Sequence, residues 1–505
     1  MDTLFKSLQL DRQFIRQYDL LMYMYTHKGT QTTQELTCVL EISAPTLRAE
    51  LSNLRYQLKD HLTIQTVKSG EFALLLSAHT SIHDILRILA RQTLVYQIIH
   101  QAFYDHKHSM IHMTQILGIS RTTYMRVLSH MNTVLRKFHL TLSGGELKFL
   151  GREDDIRSFL FHYYVGFGDA SIISSTAEQE VKDWMLWSKT VRSCRDFRYN
   201  HFRAALWLSI VQVRHRAKSF VRMEPSLLHE VQQEKAYSAF HKVAERLLHR
   251  YYLSLQIPAD EITWMYIVSL HCVTYLPGEK HYHSSSPFMQ PLREDRAIRV
   301  EARNLLRTSP FPIAQTDECF LRLTSFLVNV QALSKLSRNF ERCAPSFIYY
   351  MRNTYSTVFH GFYRMLLDWT MIGPTLKFDH IESVAACLTT ILMTPNKTKH
   401  MVPLRVIFAL QGSPGYDEYV MEMSKVILSH EIEVYYNYEH IITKEELQRL
   451  NVDLIISNFT LHLPASISIP TLRLSYLPTA SDWEMLRTMT ETLRISKNLH
   501  TITAS

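Results

Sequence analysis

The stretch Gly118-Ile119-Ser120-Arg121-Thr122-Thr123-Tyr124-Met125-Arg126 sets a turn and a capping serine before hydroxyls and cations at the start of an amphipathic helix. Those residue types can hold an anion there. Arginine offers a planar fork of donors, threonine and tyrosine offer hydroxyls, and the helix end offers unpaired amides with a positive dipole. An earlier stretch repeats the device: a turn at Glu41-Ile42-Ser43, then a helix from Ala44 carrying Thr46, Arg48, Ser52 and Arg55.

Two copies of one pattern position these residues, between residue 1 and about residue 155. In the first, a helix capped near Thr32 leads to the turn and the second helix, whose Leu47, Leu51, Leu54 and Leu58 recur at helical spacing and face a core. Two alternating strands follow around Lys68-Ser69-Gly70. In the second copy Ser120 is the N-cap, and Met125, Leu128 and Leu135 are expected to bury, leaving Arg121, Thr122, Thr123 and Arg126 outward. Its hairpin turns at Gly144-Gly145. Both copies read as winged helix-turn-helix units.

The remaining chain changes period twice. Residues from about 156 to 395 read as two sets of long helices in similar order, with the polar stretch 277–295 as a linker. One segment of the second set, 347–369, reads as a single helix. After residue 398, strand-like runs such as Leu404–Ala409 and Val452–Asn458 alternate with helices, which implies a small parallel sheet with helical cover.

Composition bounds the classes. The chain has 505 residues, 46% hydrophobic and 20% charged, with a net charge of +8, too long for one core and ordinary for a soluble multidomain protein. The positive balance is compatible with nucleic acid. Six scattered cysteines without a CxxC pair argue against a zinc module or disulfide framework and suit a reducing cytosol. No signal peptide is visible, and no run approaches the roughly 20 apolar residues of a membrane helix, so the expected location is cytoplasmic. His281-Tyr282-His283 and the stretch Asp105 to His112 lack a complete metal-ligand set, and no Walker loop, GxSxG or HExxH motif occurs. No enzyme, metal or cofactor is implied.

Taken with Gly151–Tyr164, which joins the second wing to the helices, and with Val452–Phe459 and Ile469–Trp483 near the end, this order of parts resembles the Mga-type virulence regulators. The resemblance covers essentially the whole chain. It implies a mainly α, multidomain fold: winged helix-turn-helix units at 1–80 and 81–155, all-helical PTS regulation domains at 156–285 and 286–398, and an α/β enzyme-IIB-like domain with a parallel sheet at 399–505. It further implies a DNA-binding transcriptional activator of virulence or carbohydrate-linked genes, acting as a homodimer or higher oligomer. Double-stranded DNA is the expected partner, with PTS phosphocarriers as a further one and no membrane.

Within that frame, Arg121, Thr122, Thr123, Tyr124 and Arg126 form the reading end of the second unit, and Thr46, Arg48, Ser52 and Arg55 that of the first. Glu50 works against phosphate contact, which ranks the second unit higher. Lys68 and Lys148 on the wings reach flanking phosphates or the minor groove. The resemblance also implies histidine phosphorylation in the helical region, for which His201, His215 and His271 are candidates, although the point where such domains carry a second histidine holds Val268 in the first set and Cys387 in the second. The loop with Gln411, Gly412 and Ser413 lacks the phosphorylatable cysteine of an active IIB domain, which points to an interaction module. A phosphotransfer-responsive RNA antiterminator is the alternative, and the paired helix-turn-helix units speak against it.

Overall fold

Asp11, Thr32, Ser43, Ser109 and Ser120 each hold extended backbone and accept hydrogen bonds from the amides that follow, and each begins a helix. The computed structural model describes residues 3–504 apart from 28, 78–79, 105–107, 168–171, 189–199, 234, 252–256, 275–294, 309–316, 373–376, 397–402, 411–415, 429–431, 438–441, 460, 462–466 and 476–477.

The first repeat comprises α1 (Thr3–Leu8), α2 (Arg12–Thr26), β1 (Thr30–Thr32), α3 (Thr33–Leu40), α4 (Ala44–Gln57), β2 (Leu62–Lys68) and β3 (Glu71–Leu76). Glu41, in the left-handed region at φ 52°, makes the corner between α3 and α4. The four leucines of α4 are buried as their spacing requires. The wing gains a strand the sequence did not suggest: β1 pairs antiparallel with β3, giving the order β1-β3-β2. Its three residues, Thr-Gln-Thr, are too few and too polar to show alternation.

The second repeat comprises α5 (Ile82–Arg91), α6 (Leu94–Phe103), α7 (Met110–Leu117), α8 (Arg121–Leu135), β4 (Thr141–Leu142) and β5 (Phe149–Leu150). It reproduces the first in detail. Thr33 N–H donates to the Gly70 carbonyl at 2.7 Å, and Met110 N–H to the Gly145 carbonyl at 2.9 Å, so each wing tip caps the amino end of the first helix of its corner. Gly118, at φ 62°, turns the second corner as Glu41 turns the first.

The helical region follows without a spacer. Helix α9 (Glu153–Phe167) starts just after Gly151, whose φ of 148° suits glycine and whose missing Cβ would lie 2.6 Å from Leu140 Cδ2. The expected boundary between residues 155 and 156 therefore falls inside a helix, while those at 285 and 398 lie outside the described residues. Next come α10 (Ser175–Ser188), α11 (His201–Arg216), α12 (Pro225–Gln232), α13 (Lys235–Tyr251) and α14 (Ala259–Val268). The second set is α15 (Asp295–Thr308), α16 (Asp317–Leu336), α17 (Pro345–Thr354), α18 (Ser356–Ile372) and α19 (Ile381–Asn396). The single helix expected over 347–369 is two: the chain leaves helical geometry at Tyr355, at φ −124° and ψ 46°, before α18 begins.

In the last part, β6 (Leu404–Ala409), α20 (Tyr416–Ile427), β7 (Ile432–Asn437), α21 (Lys444–Leu450), β8 (Leu454–Ser457), β9 (Thr471–Arg473) and α22 (Ala480–Ala504) form a parallel sheet in the order β7-β6-β8-β9 with helices around it. The protein is thus mainly α-helical and multidomain, with an α/β part at its end. One apolar core runs from Leu4 to Leu392 through both repeats and the helices, whereas the sheet has separate cores on its two faces. Among the described residues, no helix is long and apolar enough to cross a membrane.

Candidate nucleic-acid interface

Helix α8 is fixed by the residues it buries. Tyr124, Val127, Leu128, Met131, Val134 and Leu135 point inward, and Ser120 Oγ accepts the Thr123 amide at 3.1 Å. This phase leaves Arg121, Thr122 and Arg126 exposed, with Thr123 half-buried and its hydroxyl 3.0 Å from Ser120 Oγ. Two expectations exchange places. Tyr124 is wholly buried, with its phenol pushed up to about 12 by that burial, so it is a core residue rather than a reader. Met125, expected inside, is 45% exposed among the arginines. The signal was present in the sequence, since Tyr124 falls on the helix face shared by Val127, Leu128, Met131 and Leu135, whereas Met125 lies about 100° further round.

In the first repeat Arg48 and Ser52 are exposed on α4, while Thr46 is half-buried and its amide and hydroxyl are engaged by Ser43 Oγ. Arg55 is committed elsewhere: Nε donates to the Ile64 carbonyl at 2.9 Å and Nη2 to Thr66 Oγ1 at 3.0 Å, which ties α4 to the wing. Glu50 does not oppose phosphate either. It is buried, and Arg16 and Gln17 of α2 hold its carboxylate from inside, so the ranking of the two units built on its charge falls. Lys68 is exposed on its wing, and Lys148 is paired with Glu146 at 3.3 Å. Sequence reading missed Tyr56, 84% exposed on α4 near Ser52, and Ser129, exposed one turn after Arg126 on α8.

The segment holding α8 and its surroundings, residues 78–164, matches the Mga helix-turn-helix domain family. The chain carries an Mga-type helix-turn-helix domain. Over 491 residues, covering 95% of this chain and 98% of the relative, it is also 19% identical to the anthrax toxin expression trans-acting positive regulator of Bacillus anthracis. Both similarities are to regulatory proteins, not to enzymes.

The Mga-type domain is joined to the helices by polar contacts, those of Asn339 buried and that of Arg342 exposed. Asn339 Nδ2 donates to the Phe138 carbonyl at 3.1 Å and to Asp155 Oδ1 at 3.0 Å, and Arg342 Nη2 donates to the Lys137 carbonyl at 2.5 Å. Behind that seam the three candidate histidines differ. His201 is exposed at the first position of α11. His215 is buried, with Nε2 2.8 Å from Glu261 Oε2, inside a network in which Arg157 donates to both Glu261 oxygens at 2.8 and 2.9 Å. Burial raises the Glu261 carboxyl, but Arg157 and the hydrogen bond from His215 outweigh it and bring it down to about 2. His271 is half-buried, with Trp207 Nε1 donating to Nδ1 at 3.1 Å and Arg203 Nη2 2.7 Å from Nε2; burial and then Arg203 keep it well below the usual imidazole value. The structure therefore does not bring the three together as one site.

Among the described residues no group of three or more His, Cys, Asp or Glu side chains could hold a metal ion. His281 to His283, Asp105, the polar linker up to residue 294 and the loop of Gln411, Gly412 and Ser413 lie outside the described residues.

Proposed function

We propose that this protein is a DNA-binding transcriptional regulator that reads duplex DNA with the exposed amino-terminal face of α8, assisted by α4. The observation that carries the reading is the cluster of Arg121, Thr122 and Arg126, open to solvent at a helix amino end within the Mga-type domain. An arginine fork there suits guanine O6 and N7, the threonine hydroxyl suits phosphate or a base edge, and Met125 offers a methyl surface to thymine. Arg48 and Ser52 on α4, with Lys68 on the wing, extend the contact along the duplex, and Lys148 joins once DNA competes with Glu146.

The finer reading follows the family. Residues 156–285 and 286–398 act as PTS regulation domains, 399–505 as an enzyme-IIB-like interaction module, and the chain works as a homodimeric activator of virulence or carbohydrate-linked genes. The relative's name as a positive regulator supports the sign of control. His201 is the candidate a phosphocarrier can reach without unfolding the core, and a phosphoryl group there adds about −1.5 to −2 charges by analogy with other phosphorylated side chains. The antiterminator alternative gains nothing from an N-terminal part built of paired helical corners.

The deciding experiment is fluorescence anisotropy of the full chain with a labelled duplex over a salt series. Binding that weakens steeply with salt, and weakens further in Arg121→Ala with Arg126→Ala, supports the reading. No binding at low salt overturns it.

A further inference from the structure

A cavity of about 570 Å³ lies where α1, the end of α8 and the second helical set meet. One wall is apolar, with Leu4, Val134, Ile348 and Tyr363, and the other carries Lys137, His162, Arg342 and His380. Two helices open on it with their amino ends: Pro345 begins α17, which has no side-chain cap, and Ile381 begins α19. The positive dipole end of each helix adds to the side-chain cations.

The lining carboxylates offset part of this charge, since Asp379 acts on His380 against Arg342. Glu382 is held by Arg352 at 2.6 Å, and Asp379 stands exposed to solvent. Glu341, behind the lining, already accepts the amides of Asp379 and His380 at 2.7 and 2.9 Å and Arg338 Nη1 at 2.9 Å. Burial, and then Arg342 beside it, hold His380 down to about 4, and burial likewise holds His162 to about 4, with Arg342 adding to it. His162 Nε2 donates to the Asn339 carbonyl at 3.0 Å, so in the neutral ring Nδ1 carries the lone pair and His162 shapes the wall without donating to an anion.

We propose that this cavity binds a small phosphate-bearing anion, recognised by Lys137, Arg342 and His380 and by the two helix amino ends. A tetrahedral dianion matches donors converging from several directions, and the apolar wall leaves room for an organic body on the phosphate. Because the lining comes from α1, α8 and the helical set together, such a ligand braces the DNA-reading part against the helices. The chemistry is shared by free phosphate and a phosphate monoester.

The test is isothermal titration of the full chain, without DNA, using inorganic phosphate, phenyl phosphate and benzoate. We expect saturable one-to-one binding of a phosphate, weakened at least fivefold in His380→Gln and in Lys137→Gln and unchanged in Lys242→Gln on the distant α13. Thermal unfolding of each variant checks that it is folded; Lys137 is exposed, which keeps one variant safe from misfolding. Phenyl phosphate at least tenfold tighter than phosphate assigns a monoester, and equal affinities assign the free ion. No saturable binding of either phosphate, benzoate binding as well as phenyl phosphate, or wild-type affinity in both cavity variants overturns the proposal. No DNA enters the assay, so its failure is distinct from a failure of DNA binding.

Discussion

Arg16 of α2 grips Glu50 of α4 with two nitrogens, Nε at 2.8 Å and Nη2 at 2.6 Å from the same oxygen. Gln17 takes the other oxygen at 3.0 Å. The acid on α4 is thus a clamp between helices and adds no negative charge to the exposed face that carries Arg48 and Ser52. Glu50→Ala should lower stability by about 1–3 kcal/mol, since it strands buried donors, without tightening DNA binding. Thermal melting and anisotropy on the same variant check both halves; tighter DNA binding at unchanged stability would return Glu50 to the interface.

Arg121→Ala and Arg126→Ala should each weaken duplex binding by about 1–3 kcal/mol if they reach base edges. Tyr124→Phe should leave affinity unchanged, because the phenol lies in the core. An anisotropy titration of the three variants in one buffer separates the faces of α8, and a Tyr124→Phe protein that loses affinity while staying folded contradicts the assignment.

Arg55→Ala should act on the wing instead of the DNA contact. Losing the bonds to Ile64 and Thr66 should cost about 1–3 kcal/mol and speed amide exchange along β2. The salt dependence of DNA binding should keep its slope, since no phosphate contact is removed. A slope reduced by about one unit would show that Arg55 leaves the wing for the duplex.

Acid should destabilise the helical region in two windows. His162 and His380 sit near 4 when folded against an ordinary 6.5, so their neutral forms are favoured and stability falls as pH drops from 6.5 toward 4. Glu261 sits near 2 against an ordinary 4.5, so its contribution is complete above 4.5 and is lost as pH falls toward 2; the shift corresponds to ~3 kcal/mol. Urea unfolding followed by tryptophan fluorescence at stepped pH should show both. His380→Gln should flatten the upper window, and a profile unaltered by it would mean that His380 is as easily protonated folded as unfolded.

Incubation with a phosphorylated PTS phosphocarrier should label His201 and spare His215, which is sealed against Glu261. Mass spectrometry of acid-labile phosphate reads the site directly. Label at His215 would require the core around Arg157 to open.

Periodicity carried the caps at Thr32 and Ser120, the corners at Glu41 and Gly118 and the leucine face of α4, because each depends on residues adjacent in sequence. On α8 the spacing rightly buries Leu128 and Leu135, but tyrosine reads as polar and methionine as core, although Tyr124 shares its face with Val127, Leu128 and Met131. The roles of Arg55 and Glu50 were not legible, since their partners Ile64, Thr66, Arg16 and Gln17 come together only in the fold. The break at Tyr355 was equally hidden, because no glycine or proline marks it. The cavity lining comes from segments as far apart as Leu4 and Ser383, which no local pattern can join.

Gly151 has one further implication. Its backbone passes so close to Leu140 and the His139 carbonyl that no side chain fits, and only Arg152 separates it from the start of α9. The passage from the second wing into the helices is thus a shaft with no slack. A torque among the helices, such as the proposed phosphoryl group or subunit contact would generate, passes to α8 through that shaft. By reciprocity, a duplex held on α8 as proposed would twist back on the same helices and alter how readily they accept such a signal.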